Sequence, residues 1–148
     1  MMFFDKFTHT NELCVFYITT LTEFNNGSLK RCVGHYMNNV QTNYKFDLLF
    51  YFDQFPRRKR KFFRELNKFK KYKNINNVHI INNEIPDDEN FYFNQNIEKI
   101  DLNKFPLGGS HGINRHFYAS INNMLERSYE NCMLLESDTC SVGKDWFD

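Results

Sequence analysis

Residues 45–52 read KFDLLFYF, and this stretch decides the fold class. Apart from Lys45 and Asp47, every residue in it is aliphatic or aromatic, on both of the alternating sides of an extended chain. A strand with this pattern is buried on both faces, as in a parallel sheet covered by helices. Residues 13–20, LCVFYITT, show the same pattern, so we predict a second strand of this kind.

Helical patterns alternate with these strands. The predicted elements, in chain order, are a strand at 13–20, a turn at 22–27, a helix capped by Ser28 at 28–40, a strand at 45–52, a helix at 57–73, a strand at 78–81, a mostly irregular segment at 82–103, a helix at 114–130 and a strand at 132–135. This order predicts an α/β fold with a mostly parallel, Rossmann-like sheet flanked by helices.

The composition indicates one folded domain over residues 1–148. A hydrophobic fraction of 41%, with 17 Phe and 8 Tyr, is enough for a core and is atypical of disorder. The net charge of +1 creates no global field toward nucleic acid or membrane. The sequence shows neither a transmembrane segment nor a secretory signal, and its four cysteines form no CxxC pair. We therefore predict a cytoplasmic protein (host cytoplasm if it is viral) with reduced core thiols.

Polar residues follow the predicted strands. Thr19 and Thr20 end the first strand, Asp53 ends the second, and Glu136 and Asp138 follow the last. The glycine-rich residues 108–114, GGSHGIN, precede the last helix. In open parallel sheets, ligands bind beyond the carboxyl ends of the strands. We expect these features to meet at one edge of the sheet.

Glu136 and Asp138 are candidate ligands for a divalent cation. Two carboxylates separated by one residue on an extended chain point to the same side and repel each other unless a cation or donors lie between them. Oxygen ligands favour Mg²⁺ or Mn²⁺. The alternative is a turn in which Asp138 caps Thr139 or Ser141. Placement at the end of a predicted parallel strand favours the metal.

The glycine-rich residues also allow two interpretations. Glycine lets the backbone approach a ligand, and the amides at a helix start favour anions. The alternative is an ordinary loop in which Ser110 or Asn114 caps the helix. His111 and His116 flank this stretch, and without an identifiable partner we interpret both as surface histidines.

Residues 57–73 form the densest run of positive charge. Such a run can bind nucleic acid or an anionic surface. Phe62, Leu66 and Phe69, however, give the predicted helix a side to bury, and acids elsewhere can balance its charge. From the sequence alone we favour a solvated helix face over a nucleic-acid site. On the last helix, the residues predicted to face inward are Phe117, Ile121, Met124, Leu125 and Tyr129.

Four stretches together resemble the nucleotide-sugar half of GT-A glycosyltransferases. They are ITT at 18–20, FDLLFYFD at 46–53, GGSHGINRHFYASINNM at 108–124 and MLLESDT at 133–139. They are most similar to a viral and environmental group with a Gly-x-Asn-x-x-Phe helix and a Leu-Leu-Glu-x-Asp motif. The resemblance covers about residues 13–146. Here ESD stands where the family usually carries Asp-x-Asp, so the first carboxylate is longer.

The resemblance implies a function and a set of roles. Thr19 and Thr20 would flank the nucleotide, and Asp53 would bind the base or ribose. Ser110, Asn114 and Arg115 would lie near the pyrophosphate or donor sugar, while Glu136 and Asp138 would hold Mn²⁺ or Mg²⁺. The implied reaction moves a sugar from a uridine or guanosine diphosphate donor to a glycan, protein or lipid acceptor. Family members continue beyond the metal motif, so this chain would hold the donor-binding half, and no catalytic base is assigned.

Overall fold

The computed structural model describes residues 13–40, 44–84 and 109–137, with the backbone alone at 109–115. Its elements, in chain order, are β1 (Leu13–Thr19), α1 (Leu21–Asn25), α2 (Ser28–Asn38), β2 (Phe46–Phe52), α3 (Lys59–Asn67), a 3₁₀ turn (Lys68–Lys71), β3 (Ile75–Asn82), α4 (Gly109–Glu126) and β4 (Asn131–Leu135). This is the α/β alternation that the sequence predicts.

The described strands form one parallel sheet in the order β3-β2-β1-β4. The chain adds β2 and β3 successively on one side of β1, and then returns to place β4 on its other side. The strand order therefore reverses at β1. In parallel sheets, such a reversal opens a crevice at the carboxyl ends of the two strands concerned, which are β1 and β4 in this chain.

One face of the sheet packs against α2 and α3. Tyr17 of β1 and Phe50 of β2 stack there with their ring centroids 5.7 Å apart. The core on this face also contains Val15, Leu29, Val33, Tyr36, Leu48, Phe52, Phe62 and Leu66. Every residue of β2 is buried, which explains its continuous apolar pattern.

The other face of the sheet packs against α4. Its buried core comprises Cys14, Phe16, Leu49, Tyr51, Met124 and Tyr129. The prediction that Phe117 and Leu125 face inward is wrong, since their exposed fractions are 38% and 68%. The buried side of α4 instead follows His116, Ser120 and Met124, at intervals of four residues. The hydrophobic pattern did not predict this side because two of its buried residues, His116 and Ser120, are polar.

Several predicted boundaries shift. The predicted turn at 22–27 is largely the helix α1, which a capping box between Thr20 and Glu23 starts. The predicted helix at 57–73 is α3 followed by the 3₁₀ turn, and β3 begins three residues before the predicted start at 78 and ends one residue after the predicted end at 81. Residues 109–113, predicted to precede the last helix, already belong to α4.

The three cysteines in described positions form no disulfide. Cys14 and Cys32 are buried, as predicted, whereas Cys132 is exposed because β4 is an outer strand of the described sheet. Among the described residues, no helix combines the length and apolar character needed to cross a bilayer.

Candidate functional site

The carboxyl ends of β1, β2 and β4 bring four predicted site residues to one edge of the sheet. Thr19 pairs with Phe52, so Thr20 and Asp53 follow neighbouring strand ends. Tyr17 pairs with Leu135, which places Glu136 beside the end of β1. Ser110, Asn114 and Arg115 lie on the first turns of α4, where only the backbone is described. Asp138 lies outside the described residues.

Glu23 is the centre of a hydrogen-bond network at this edge. One carboxylate oxygen accepts hydrogen bonds from the Thr19 hydroxyl (2.7 Å) and from the Thr20 backbone N–H (3.0 Å). The other oxygen accepts from the hydroxyl of Ser137. In return, the Thr20 hydroxyl accepts from the Glu23 backbone N–H. Glu23 thereby joins the start of α1 to the residue that follows Glu136.

The segment that carries Glu136 is held at two points. The thiol of Cys32, on α2, donates to the Glu136 carbonyl oxygen at 3.0 Å. The hydroxyl of Ser137, which is 5% exposed, donates to Glu23. The Glu136 side chain itself is exposed. These two bonds fix the backbone around Glu136, which is one requirement for a pre-positioned ligand.

A second network surrounds His116, near the start of α4. Its Nε2 lies 3.1 Å from the Thr19 carbonyl oxygen, and its Nδ1 lies 2.8 Å from Nδ2 of Asn83. Asn83 also donates to Ser120 at 2.9 Å, and the Ser120 hydroxyl donates to the His116 carbonyl oxygen at 2.8 Å. The prediction of a surface histidine is therefore wrong for His116, which is 6% exposed. The side chain of His111 lies outside the described residues.

These contacts fix the orientation of the His116 ring. A carbonyl oxygen can only accept, so Nε2 carries the hydrogen that faces Thr19. Nδ1 lies against the Asn83 side-chain amide. The histidine acts here as a fixed connection between α4 and the ends of β1 and β3, with both nitrogens engaged.

Asp53 has the perturbed carboxyl group of this edge. Burial raises the pKa of Asp53, and the negative charge of Glu23 raises it further. The charge of His116 and the backbone hydrogen bonds act in the opposite direction but are outweighed. Its Oδ1 accepts from the Gln54 N–H at 2.9 Å. Aromatic packing beneath fixes the loop that follows, since Phe55 and Phe62 lie 5.4 Å apart between ring centroids. A half-buried acid with few partners is typical of a group that contacts a ligand.

A separate buried carboxylate, Asp47, lies at the opposite, amino end of β2. It accepts hydrogen bonds from the Tyr129 hydroxyl at 2.6 Å and from Asn77 at 3.1 Å, and His79 lies 3.7 Å away. Burial alone would raise the pKa of Asp47, but the interactions with His79, Tyr129 and Asn77 outweigh it, so its pKa is below the ordinary value. This satisfied acid joins β2, β3 and the segment after α4, which is a structural role.

The residues at the edge suit a hard cation only in part. Within 13–40, 44–84 and 116–137, no three His, Cys, Asp or Glu side chains converge to hold a metal ion. Glu136 is exposed at this edge. Both oxygens of Glu23 accept hydrogen bonds. Oxygen donors of this type match Mg²⁺ or Mn²⁺, which bind through few protein ligands and the phosphates of a substrate.

The sequence reasoning missed Glu23, Asn83, Ser120 and Ser137. The Thr-x-x-Glu spacing of residues 20–23 is a capping-box signal that could have identified Glu23. The other three have no local signal, because their partners are distant along the chain; Ser137 and Glu23 are 114 positions apart. No family model, curated protein or solved structure matches this chain.

Proposed function

We propose that this chain is the donor-binding part of a metal-dependent glycosyltransferase. One observation carries the proposal: the strand order places Glu136 beside the end of β1, at the reversal of the sheet, with Asp53 one strand further. An edge of this kind is where parallel sheets bind nucleotides. The resemblance of residues 133–139 to a metal-binding motif supports the same assignment.

Each candidate residue has a role consistent with its position. Asp53 would accept hydrogen bonds from the ribose or base of a uridine or guanosine diphosphate sugar. Thr19 and Thr20 would shape the floor of the nucleotide site through their backbone, because their hydroxyls are engaged with Glu23. Ser110, Asn114 and Arg115 would face the diphosphate or the sugar from the first turns of α4, where backbone amides favour anions.

Glu136 and Asp138 would hold Mn²⁺ or Mg²⁺. A divalent cation neutralises the charge that develops on a departing diphosphate. In the proposed transfer, the bond from the anomeric carbon to the diphosphate oxygen breaks, and a bond from that carbon to an acceptor oxygen forms. The electron pair stays with the diphosphate, and the acceptor's proton passes to a base that we do not assign to a residue. No protein nucleophile is required.

Calorimetry tests this proposal directly. UDP-glucose and GDP-mannose serve as probes, each titrated with and without Mn²⁺. We expect at least one of them to bind only when the metal is present. Glu136→Gln and Asp138→Asn should each weaken that binding at least about tenfold, comparable to the loss of a charge-assisted interaction.

The matched control is Glu130→Gln, which removes an exposed carboxylate just before β4, at the far end of that strand. It should bind the donor as the unmodified protein does. Equal heats for the unmodified protein and for Asp138→Asn, or an equal loss in the Glu130 control, would contradict the proposed metal site.

A further inference from the structure

The positive charge of this protein is concentrated on one short segment. Residues 57–73 contain ten of the 19 Lys and Arg residues and one of the 18 acids, so they carry +9 while the rest of the chain carries −8. We name these ten side chains the basic surface: Arg57, Arg58, Lys59, Arg60, Lys61, Arg64, Lys68, Lys70, Lys71 and Lys73. The net charge of +1 conceals this separation.

All ten side chains of the basic surface are exposed. The one acid of the segment, Glu65, is engaged by Lys30 of α2 and by Lys68, at 2.9 Å each. The hydrogen bonds from these two lysines lower the pKa of Glu65 to about 2. The segment itself therefore supplies no second acid for its other cations.

The cations also stand where helix electrostatics disfavours them. Arg58 is the N-cap of α3 and makes no side-chain capping bond, and the first turn of the helix contains no acid. Instead, Lys59, Arg60 and Lys61 lie at the positive end of the helix dipole, where cations are destabilising. Charged residues at positions that lower the stability of a helix are typical of surfaces that bind a partner.

The apolar side of α3 faces the core, which decides what kind of anionic partner fits. Phe62 and Leu66 of α3 and Phe69 of the 3₁₀ turn are 2%, 0% and 7% exposed. The helix therefore has no apolar stripe to insert into a lipid surface, on which amphipathic membrane helices depend. The four arginines of the basic surface suit phosphate oxygens, which arginine binds through paired hydrogen bonds.

We infer that the basic surface binds the phosphate backbone of a nucleic acid, without regard to base sequence. The inference is independent of the proposed sugar transfer. Because each neutralised phosphate releases counterions, binding should weaken steeply with salt. The logarithm of the binding constant should fall with the logarithm of the salt concentration, with a slope of about −0.7 per phosphate contact for single strands and about −0.9 for duplexes.

Fluorescence anisotropy with a labelled single-stranded RNA and a labelled duplex DNA, each of about 20 residues per strand, measures this slope. The test variant is Arg57→Gln with Arg58→Gln. The control is Arg31→Gln with Lys45→Gln, which removes the same charge from exposed positions outside the surface. We expect the test variant to bind several-fold more weakly than the unmodified protein at about 0.1 M salt. Its salt slope for RNA should be shallower by about 1.4, because two phosphate contacts are lost. The control variant should change little in either respect.

Three results would overturn the inference: no binding to either probe at low salt, equal losses in the test and control variants, or binding to phosphatidylserine vesicles but to neither nucleic acid. A thermal melt of the test variant distinguishes lost binding from misfolding. Removing cations from the start of α3 should leave the melting temperature unchanged or raise it.

Discussion

The Asp53 carboxyl is proposed to contact the ligand, and its burial lowers the stability of the fold at neutral pH. Burial raises the pKa of this carboxyl, so the folded protein binds its proton more tightly than the unfolded chain. The stability that depends on this group is therefore present at low pH and lost as pH rises through the folded pKa. At neutral pH, the charged side chain opposes folding.

Asp53→Asn should therefore raise the melting temperature at pH 7 and leave it unchanged below about pH 4, the ordinary pKa range of the group. The same change should weaken donor binding by about tenfold or more, as expected for a lost hydrogen bond to a charged acceptor. Thermal melts over a pH series and calorimetry check the two effects. A lower melting temperature at pH 7 would show that the carboxylate stabilises the fold.

Asp47 presents the opposite case among the buried acids. Its pKa is lowered by its hydrogen-bonding partners, which outweigh the effect of burial. A depressed carboxyl pKa contributes stability above the unfolded value, and that contribution is lost as pH falls through the folded value. Tyr129 donates the shortest of its hydrogen bonds, at 2.6 Å.

Tyr129→Phe should reduce the free energy of unfolding by about 1.5–3 kcal/mol at pH 7, because the bond goes to a charged acceptor. The difference from the unmodified protein should shrink as pH falls from about 4, where Asp47 takes up a proton in the unfolded chain, toward its lower folded pKa. Urea unfolding at the two pH values measures it. A difference that is constant with pH would mean that packing of the ring, and not the carboxylate, determines the effect.

At the scale of elements, the contact between α1 and the end of β4 fixes the proposed metal ligand. The Ser137 hydroxyl donates to Glu23, whose other oxygen belongs to the capping box of α1. Ser137→Ala removes this connection and leaves the capping box intact. We expect it to weaken Mn²⁺-dependent donor binding several-fold, since outer-shell partners of a metal ligand are typically worth about 10–100-fold.

Ser28→Ala is the control for this prediction, because the Ser28 hydroxyl donates to the Glu23 carbonyl oxygen and makes no contact with Ser137. Calorimetry of both variants, with Mn²⁺ varied at fixed donor, separates a loss of metal affinity from a loss of fold. If donor binding by the Ser137→Ala protein depends on Mn²⁺ as in the unmodified protein, the contact between Ser137 and Glu23 does not position Glu136 for the metal.

At the scale of the whole molecule, stability depends on β2. All of its residues are buried between two helical layers. Leu48→Ala should cost about 2–5 kcal/mol, through lost apolar contact and the cavity that remains. Leu134→Ala, on the outer strand β4 and 38% exposed, should cost far less. Chemical unfolding compares the two variants, and similar losses would mean that β4 is covered in solution.

The sequence by itself determined the alternation of strands and helices, because a strand buried on both faces and an amphipathic helix each have a period that is visible in a few residues. It also predicted that Thr20, Asp53 and Glu136 lie at strand ends, since those positions depend only on where each apolar run stops. The capping box was equally local and could have been predicted.

Only the tertiary structure decided which strand ends are neighbours and which polar residues join them. The placement of β4 beside β1 depends on the direction of a long crossover, and the bond between His116 and Thr19 joins residues 97 positions apart. The side of α4 that carries His116, Ser120 and Met124 is buried against the sheet, and Phe117 and Leu125 are exposed. Such pairings follow from packing of the entire chain, so no short stretch of sequence specifies them.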